Sequence, residues 1–183
     1  AYGQSPRVLT ALEFDKLHLV GDERIRYGKS FVFIQCVGSR NADRPYCSRV
    51  CCTHSIQAAI ALKEEDPGRN VFILYRDIRS FGQREELYTR ARELGVIFMN
   101  YDLHQKPIVR PGDSEVSVVA WDHVLHDAFR ITGDVVVLAT AIVPQAEVRD
   151  LARLYRLPVD ADGFLQEAHV KLRPVDFSSD GLY

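Results

Sequence analysis

The sequence predicts an α/β fold built on a parallel β-sheet, and two observations support this. Short unbroken apolar runs, typical of strands buried on both faces, alternate along the chain with segments of helical periodicity. The connections between them are short and carry stop signals such as Asp66-Pro67-Gly68. This alternation is typical of βαβ units, in which helices cover a parallel sheet.

The first half of the chain predicts a β-α-β-α-β order. Before it, Thr10-Ala11-Leu12-Glu13 has the form of a capping box, so a short helix is expected through about His18. The predicted elements that follow are a strand at 31–37, a helix from about Ser48 or His54 to Glu65, a strand at 70–75, a helix at 83–94 and a strand at 96–101. This order is the half-unit of a Rossmann-like sheet.

The second half of the sequence departs from this alternation. Residues 108–133 predict an antiparallel excursion, with strands at 116–121 and 128–131. The predictions for the remainder are a buried strand at 134–140, a helix at 147–155 and a tail of extended segments and turns at 158–183. We therefore predict a single domain over residues 1–183.

Composition narrows the choice of partners and compartment. Lys and Arg number 23 against 25 Asp and Glu, a net charge of −2, so nucleic acid is disfavoured as a partner. No apolar run approaches the ~20 residues of a transmembrane helix, and no signal peptide opens the chain. These observations favour a cytoplasmic protein.

The first predicted loop lacks the glycines of a dinucleotide-binding turn. Such a turn has the pattern G-x-G-x-x-G, which lets the backbone approach a pyrophosphate. Here the strand runs into Cys36-Val37-Gly38-Ser39-Arg40-Asn41, with one glycine. A nicotinamide cofactor bound in the usual way is therefore disfavoured.

The same region holds every cysteine of the chain, within 17 consecutive residues: Cys36, Cys47, Cys51 and Cys52. The spacing C-x10-C-x3-C-C lacks the paired knuckles of most zinc sites and the C-x-x-C of a dithiol. Four thiolates match the ligand count of a 4Fe-4S cluster. Zinc, a disulfide and unligated thiols remain alternatives.

The surroundings of the cysteines favour an anionic ligand. The last three cysteines lie at or just before a predicted helix N-terminus, whose dipole stabilises negative charge. Arg40, Arg44 and Arg49 add positive charge nearby. Two neighbours have alternative roles: His54 as a hydrogen-bond donor to the site or to backbone, and Tyr46 as a shield of the site or a packed loop aromatic. No catalytic acid–base residue is predicted.

Four segments carry a family resemblance that covers nearly the whole chain. They are FIQCVGSR at 33–40, RPYCSRVCC at 44–52, LYRDIR at 74–79 and HVKLRPVD at 169–176. Together they resemble the A-type subunit of heterodisulfide reductase and related flavoproteins of anaerobic energy metabolism. The cysteine segment, with its closing Cys-Cys pair, is the most specific of the four.

The resemblance implies a fold like the NAD(P)-binding domain of thioredoxin-reductase-type flavoproteins. It implies that Cys36, Cys47, Cys51 and Cys52 bind one 4Fe-4S cluster, with residues 36–52 as the cluster-binding loop. The cluster would relay electrons to or from FAD, held by other parts of a longer subunit to which the 158–183 tail leads. Implied partners are the other subunits of a heterodisulfide reductase-type complex and the flavin and ferredoxin-like domains of that longer subunit.

The expected function is therefore an electron-transfer module of an oxidoreductase, as a domain excised from a larger subunit. We do not expect the chain to bind FAD tightly or to turn over a heterodisulfide by itself. One alternative is a non-redox assembly or interaction domain with a zinc site or free cysteines. A second alternative is a nicotinamide-binding reductase domain.

Overall fold

The computed structural model describes residues 1–112, 114–123 and 125–183. Its strands are β1 (Val8–Thr10), β2 (Ser30–Val37), β3 (Asn70–Tyr75), β4 (Ile97–Asn100), β5 (Ile108–Pro111), β6 (Val116–Asp122), β7 (Asp127–Gly133) and β8 (Val135–Thr140). Its helices are α1 (Ala11–Leu19), α2 (Glu23–Arg26), α3 (Cys51–Glu65), α4 (Glu85–Glu93) and α5 (Val148–Tyr155). The structure confirms a mixed α/β fold.

The five parallel strands lie in the order β1-β8-β2-β3-β4. From β2 the chain moves outward through β3 to β4, and it later returns to the opposite side of β2 as β8. The strand order therefore reverses beside β2. In open α/β sheets, ligands bind in the crevice at the carboxyl ends of the strands where the order reverses.

Three antiparallel strands form a second sheet in the order β5-β6-β7. Along β6, Val116, Val118 and Ala120 are buried and the residues between them are partly exposed, so one face of this sheet packs on the core. The predicted antiparallel excursion at 108–133 is thus present. Its first strand, β5, has four residues and too little alternation to be predicted.

The core lies on both faces of β2. Phe31 and Phe33 pack with the buried face of α3 in one hydrophobic cluster. Val32 and Ile34 pack in a second cluster that includes residues of β6. All four side chains are 5% exposed or less. A strand covered on both faces explains the unbroken apolar run in the sequence.

Local sequence signals set several element ends. The Thr10 hydroxyl accepts a hydrogen bond from the Glu13 amide, and the Glu13 carboxylate accepts one from the Thr10 amide, as the capping box predicts. Helix α3 begins at Cys51, between the two predicted starts. The short elements β1 and α2 were not predicted, because three or four residues carry no periodicity.

The chain divides into two compact units, one of residues 1–40 with 47–141 and one of residues 41–46 with 142–183. The smaller unit contains α5 and two isolated bridges, Val159–Leu165 and His169–Arg173. Within it, Tyr46 packs edge-on against Phe164 and its hydroxyl donates to the Ile142 carbonyl at 3.0 Å. The single domain over residues 1–183 stays a prediction.

In the described parts of the chain, no helix is long and apolar enough to cross a bilayer.

The larger unit has a buried cation that ties its helices together. The Arg69 side chain is 5% exposed. Its guanidinium donates to the carbonyl oxygens of Ile25, Arg26 and Leu62 and to the Glu65 carboxylate. Arg69 therefore joins the end of α2 to α3.

We expect Arg69→Met to lower the free energy of unfolding by about 3 kcal/mol, because buried acceptors lose their charged donor. Urea denaturation followed by circular dichroism measures this loss. Arg90→Met is the control, since Arg90 pairs with Glu64 at 3.2 Å where both side chains are about half exposed. That control should change stability by less than about 1 kcal/mol. Equal losses in the two variants would contradict the structural role of Arg69.

Candidate metal centre

Three of the four cysteines lie at the carboxyl end of the parallel sheet, beside the point where the strand order reverses. Cys36 is the penultimate residue of β2, and Cys51 and Cys52 are the first two residues of α3. The Cys51 thiol lies 4.0 Å from the carbonyl oxygen of Thr140, at the end of β8. The Cys52 thiol lies 3.9 Å from the carbonyl oxygen of Asp77, just beyond β3. The thiols therefore occupy the crevice where this fold class places ligands.

A bulge in β2 sets the position of Cys36. Ile34 pairs with Leu138 and Val37 pairs with Thr140, so two residues of β2 lie opposite one of β8. Val37 consequently packs on the same side as Ile34, where strict alternation would place it on the opposite side. Cys36 itself has φ 59°, in the left-handed region. The bulge thus turns Cys36 out of the regular ladder.

The loop after β2 contains further left-handed residues. Gly38 has φ 78° in a turn closed by the Ser39 amide and the Cys36 carbonyl at 3.3 Å, a position that favours glycine. Arg40 and Arg49 have φ of 57° and 65°, although each carries a side chain. Backbone strain of this kind is concentrated at functional sites.

Arg40 places a guanidinium beside the first cysteine. Its Nη1 lies 3.8 Å from the Cys36 sulfur and also donates to the Asp77 carboxylate. Asp77 accepts a second hydrogen bond from Arg79 Nε at 2.9 Å. Partial burial acts to raise the pKa of Asp77, but the hydrogen bonds from Arg79 and Arg40 hold that pKa below its ordinary value. Asp77 is therefore an ionised anchor that holds both guanidinium groups.

The thiols at the start of α3 influence one another electrostatically. Burial raises the pKa of Cys51, and negative charge on Cys47 and Cys36 raises it further, against a hydrogen bond from Ser48. Burial likewise raises the pKa of Cys52, with contributions from the other three cysteines. The four sulfurs are thus close enough to interact, and their anionic forms repel one another. A bound cation would remove that repulsion.

All four cysteines are free thiols, so their sulfurs are available as ligands. Across residues 1–112, 114–123 and 125–183, no three His, Cys, Asp or Glu side chains form a group that could hold a metal ion. Ligation would therefore require the loop to draw the sulfurs together, which couples metal binding to ordering of the loop. The donor set itself, four cysteines with cations beside them, fits an anionic iron–sulfur cluster.

Other sequence-predicted neighbours have different roles. The His54 side chain lies against Asp15, with its Nε2 2.8 Å from the Asp15 carboxylate. Tyr46 is a packed loop aromatic in the smaller unit. Arg49 contacts Cys47 through its backbone amide, with N and Sγ 3.4 Å apart. Asp77 was not predicted as the anchor of Arg40, although it follows a predicted strand by two residues.

Curated proteins of known name align with the chain over its length. The A-type iron–sulfur subunit of the CoB–CoM heterodisulfide reductase of Methanocaldococcus jannaschii is 36% identical over 99% of this chain and 29% of its own length. The A-type subunit of the H(2):CoB-CoM heterodisulfide,ferredoxin reductase of Methanothermobacter marburgensis is 35% identical over 100% of this chain and 29% of its own. The chain is therefore similar to one segment of heterodisulfide reductase A-type subunits. The resemblance given by the cysteine segment is thereby confirmed.

The chain spans about three-tenths of the length of these heterodisulfide reductase subunits. No family model matches it. Among solved structures, a cadaverine monooxygenase of Erwinia amylovora bound to FAD aligns with TM-score 0.54, covering 88% of this chain and 45% of its own. An ornithine N-hydroxylase of Kutzneria sp. 744 aligns with TM-score 0.53, covering 90% and 48%. At 11% and 13% identity these two likenesses show the fold alone.

The raised pKa of Cys52 predicts slow alkylation of the metal-free chain. Because less thiolate is present at any given pH, Cys52 should react with iodoacetamide more slowly than the same residue in the urea-unfolded chain. The pH at which its rate is half-maximal should move upward on folding. Mass spectrometry of proteolytic peptides that contain Cys52 measures its alkylation rate, and repeating the measurement over a range of pH gives the pH of half-maximal rate. Equal rates in the folded and unfolded chains would contradict this environment for Cys52.

Proposed function

We propose that this chain is the electron-transfer module of an oxidoreductase of the heterodisulfide reductase type, and that Cys36, Cys47, Cys51 and Cys52 bind one 4Fe-4S cluster. The observation that carries the proposal is that three free thiols, those of Cys36, Cys51 and Cys52, lie at the carboxyl end of the parallel sheet, with Cys47 near enough to influence two of them electrostatically. When bound, such a cluster supplies one-electron transfer. The protein's own residues hold the sulfurs and set the charge around them.

Each cysteine has a distinct structural support. The bulge of β2 presents Cys36, and the first turn of α3 presents Cys51 and Cys52. The Arg49 amide donates to the Cys47 sulfur. Since the amides of a first helical turn lack intrahelical partners, the start of α3 favours negative charge on its two cysteines. The helix start and the Arg49 amide both supply backbone N–H donors beside the sulfurs.

The same crevice argues against a nicotinamide-binding function. A dinucleotide pyrophosphate needs close backbone approach at the turn after the central strand. Here that turn carries the side chains of Cys36 and Arg40, and the first turn of the following helix carries two further cysteines. The positive charge of Arg40 and the cysteine side chains around this turn therefore suit a compact anionic group that is bound through sulfur.

For the longer subunit, we propose that electrons pass between this cluster and FAD held by other domains of the same chain. Its partners would be those flavin and ferredoxin-like domains and the other subunits of a heterodisulfide reductase-type complex. Two relatives are named as subunits of such enzymes, which supports this assignment. We place the module in the cytoplasm, and we do not expect it to turn over a heterodisulfide in isolation.

Anaerobic reconstitution of the chain with iron and sulfide tests the cluster. We expect about four irons and four acid-labile sulfides per chain, with visible absorbance that dithionite bleaches. Stoichiometric zinc in the purified chain that iron does not replace, or no metal after reconstitution, would overturn the proposal and favour the non-redox interaction domain. Calorimetry with NADH tests the nicotinamide alternative, which micromolar binding would support.

A ligand variant tests the assignment of residues. Cys51→Ser should lose the cluster. It should keep the circular dichroism spectrum of the wild-type chain, because Cys51 is a partly exposed residue at the start of α3. Ser39→Ala is a control within the same loop that leaves every sulfur in place. Full iron content in Cys51→Ser would show that the assigned ligand set is wrong.

Arg40 should raise the reduction potential of the cluster, because its positive charge favours the more negative reduced state. We expect Arg40→Gln to lower the midpoint potential in a titration followed by electron paramagnetic resonance. Arg49→Gln is the matched control, since Arg49 contacts Cys47 through its backbone and its side chain is exposed. A larger shift in the control than in Arg40→Gln would contradict the role of Arg40.

A further inference from the structure

Gln35, next to Cys36 on β2, is a buried amide without a partner. Its side chain is completely buried, at 0% exposure. Neither Nε2 nor Oε1 has a hydrogen-bond partner among the residues that the structure describes. Its backbone carbonyl, by contrast, accepts a hydrogen bond from the Tyr101 hydroxyl at 2.5 Å. Since buried polar groups are nearly always hydrogen-bonded, an unpaired amide requires an explanation.

The direction of the Gln35 side chain follows from the pleat of β2. Phe31 and Phe33 face α3, where they pack with Ile56 and Ala59. Gln35, the first of the two bulge residues, continues that row by two residues toward the carboxyl end of the strand, and it precedes Cys36, whose left-handed backbone breaks the alternation. Its amide therefore points into the layer between β2 and α3.

The facing row of α3 runs toward the same end of the sheet. Its buried stripe continues from Ala59 and Ile56 to Ser55 and Cys52, in the first turn. The Ser55 hydroxyl is buried and also has no partner in the described part of the chain. The layer that receives the Gln35 amide is thus also lined by the first turn of α3, which carries two of the four cysteines.

We propose that the Gln35 side-chain amide donates a hydrogen bond to a sulfur of the cluster site, and so helps to set its reduction potential. This inference rests on the proposed function. A thiolate or sulfide sulfur can accept a hydrogen bond from an N–H group, and such bonds stabilise the more negative, reduced state of a cluster. Gln35 lies beside Cys36 along the chain and faces the layer that the buried side of the first turn of α3 also lines. Its donor group has no other partner in the described part of the chain.

A bridging water is the competing occupant of this space. A water between Gln35 and Ser55 would satisfy both groups in the metal-free chain. In that case the amide would already have its hydrogen bonds before any cluster is bound, and its removal would destabilise the metal-free protein. With sulfur as its partner, the amide is unpaired in the metal-free chain, and its removal relieves an unfavourable burial.

The test uses Gln35→Leu in the full chain, with and without reconstituted cluster. We expect the loaded variant to keep the iron content of the wild type and to be harder to reduce. Its one-electron reduction equilibrium should change about tenfold, which is ~59 mV toward lower potential. We expect the metal-free variant to have a urea midpoint equal to or above that of the wild type.

Ser55→Ala is the matched control, because it removes a second unpaired polar group from the same layer but no N–H donor. It should leave the potential within a twofold change of the reduction equilibrium. An unchanged potential in Gln35→Leu with normal iron content would overturn this inference alone. A lower urea midpoint in the metal-free variant would overturn it in favour of a bridging water. Failure of the wild-type chain to take up iron would overturn the proposed function itself.

Discussion

The burial of β2 on both faces is the constraint on which the rest of the structure depends. Its aromatic residues pack against α3 on one side, and its aliphatic residues pack against the second sheet on the other. A strand held in this way cannot slip by one residue without exchanging its two faces. The bulge near its end therefore fixes where Cys36 leaves the sheet. Because α3 packs on the same strand, the first turn of that helix and its two cysteines are placed against the same end.

Charge around the crevice is organised from a neighbouring strand. Asp77, just beyond β3, accepts hydrogen bonds from Arg79 and Arg40 and so holds the Arg40 guanidinium near the Cys36 sulfur. Arg76 strengthens this arrangement, because it donates to the Arg40 carbonyl at 2.7 Å. A surface arginine would lose much of its effect to solvent, whereas the Arg40 side chain is only 17% exposed. The local field at the site thus depends on parallel pairing of β2 with β3.

The sequence predicts the elements that have strong periodicity or clear stop signals. The sequence predicts the strand at 70–75 at its observed bounds, because the stop signal Asp66-Pro67-Gly68 precedes an unbroken apolar run. The start of α3 was not, because Cys51 and Cys52 have no N-cap side chain before them: Val50 precedes the helix without a cap hydrogen bond. Bulges and ion pairs leave no periodic pattern in the sequence. The surroundings of Gln35 and Asp77 are therefore visible only in the folded structure. The cysteine spacing indicated the proposed ligand set but carried no information about the strand reversal beside it.

The metal-free arrangement is a compromise between two demands on the same residues. Burial protects Cys51 and Cys52 and raises their pKa, which disfavours the thiolates that a metal requires. The left-handed backbone at Cys36, Arg40 and Arg49 is also unfavourable for residues with side chains. Both costs are tolerated because the packed core around β2 determines the loop ends independently of the loop itself. A bound cluster, as proposed, would offset them by replacing thiolate repulsion with metal–sulfur bonds, and the loop would then gain stability from the ligand as well as from its own contacts.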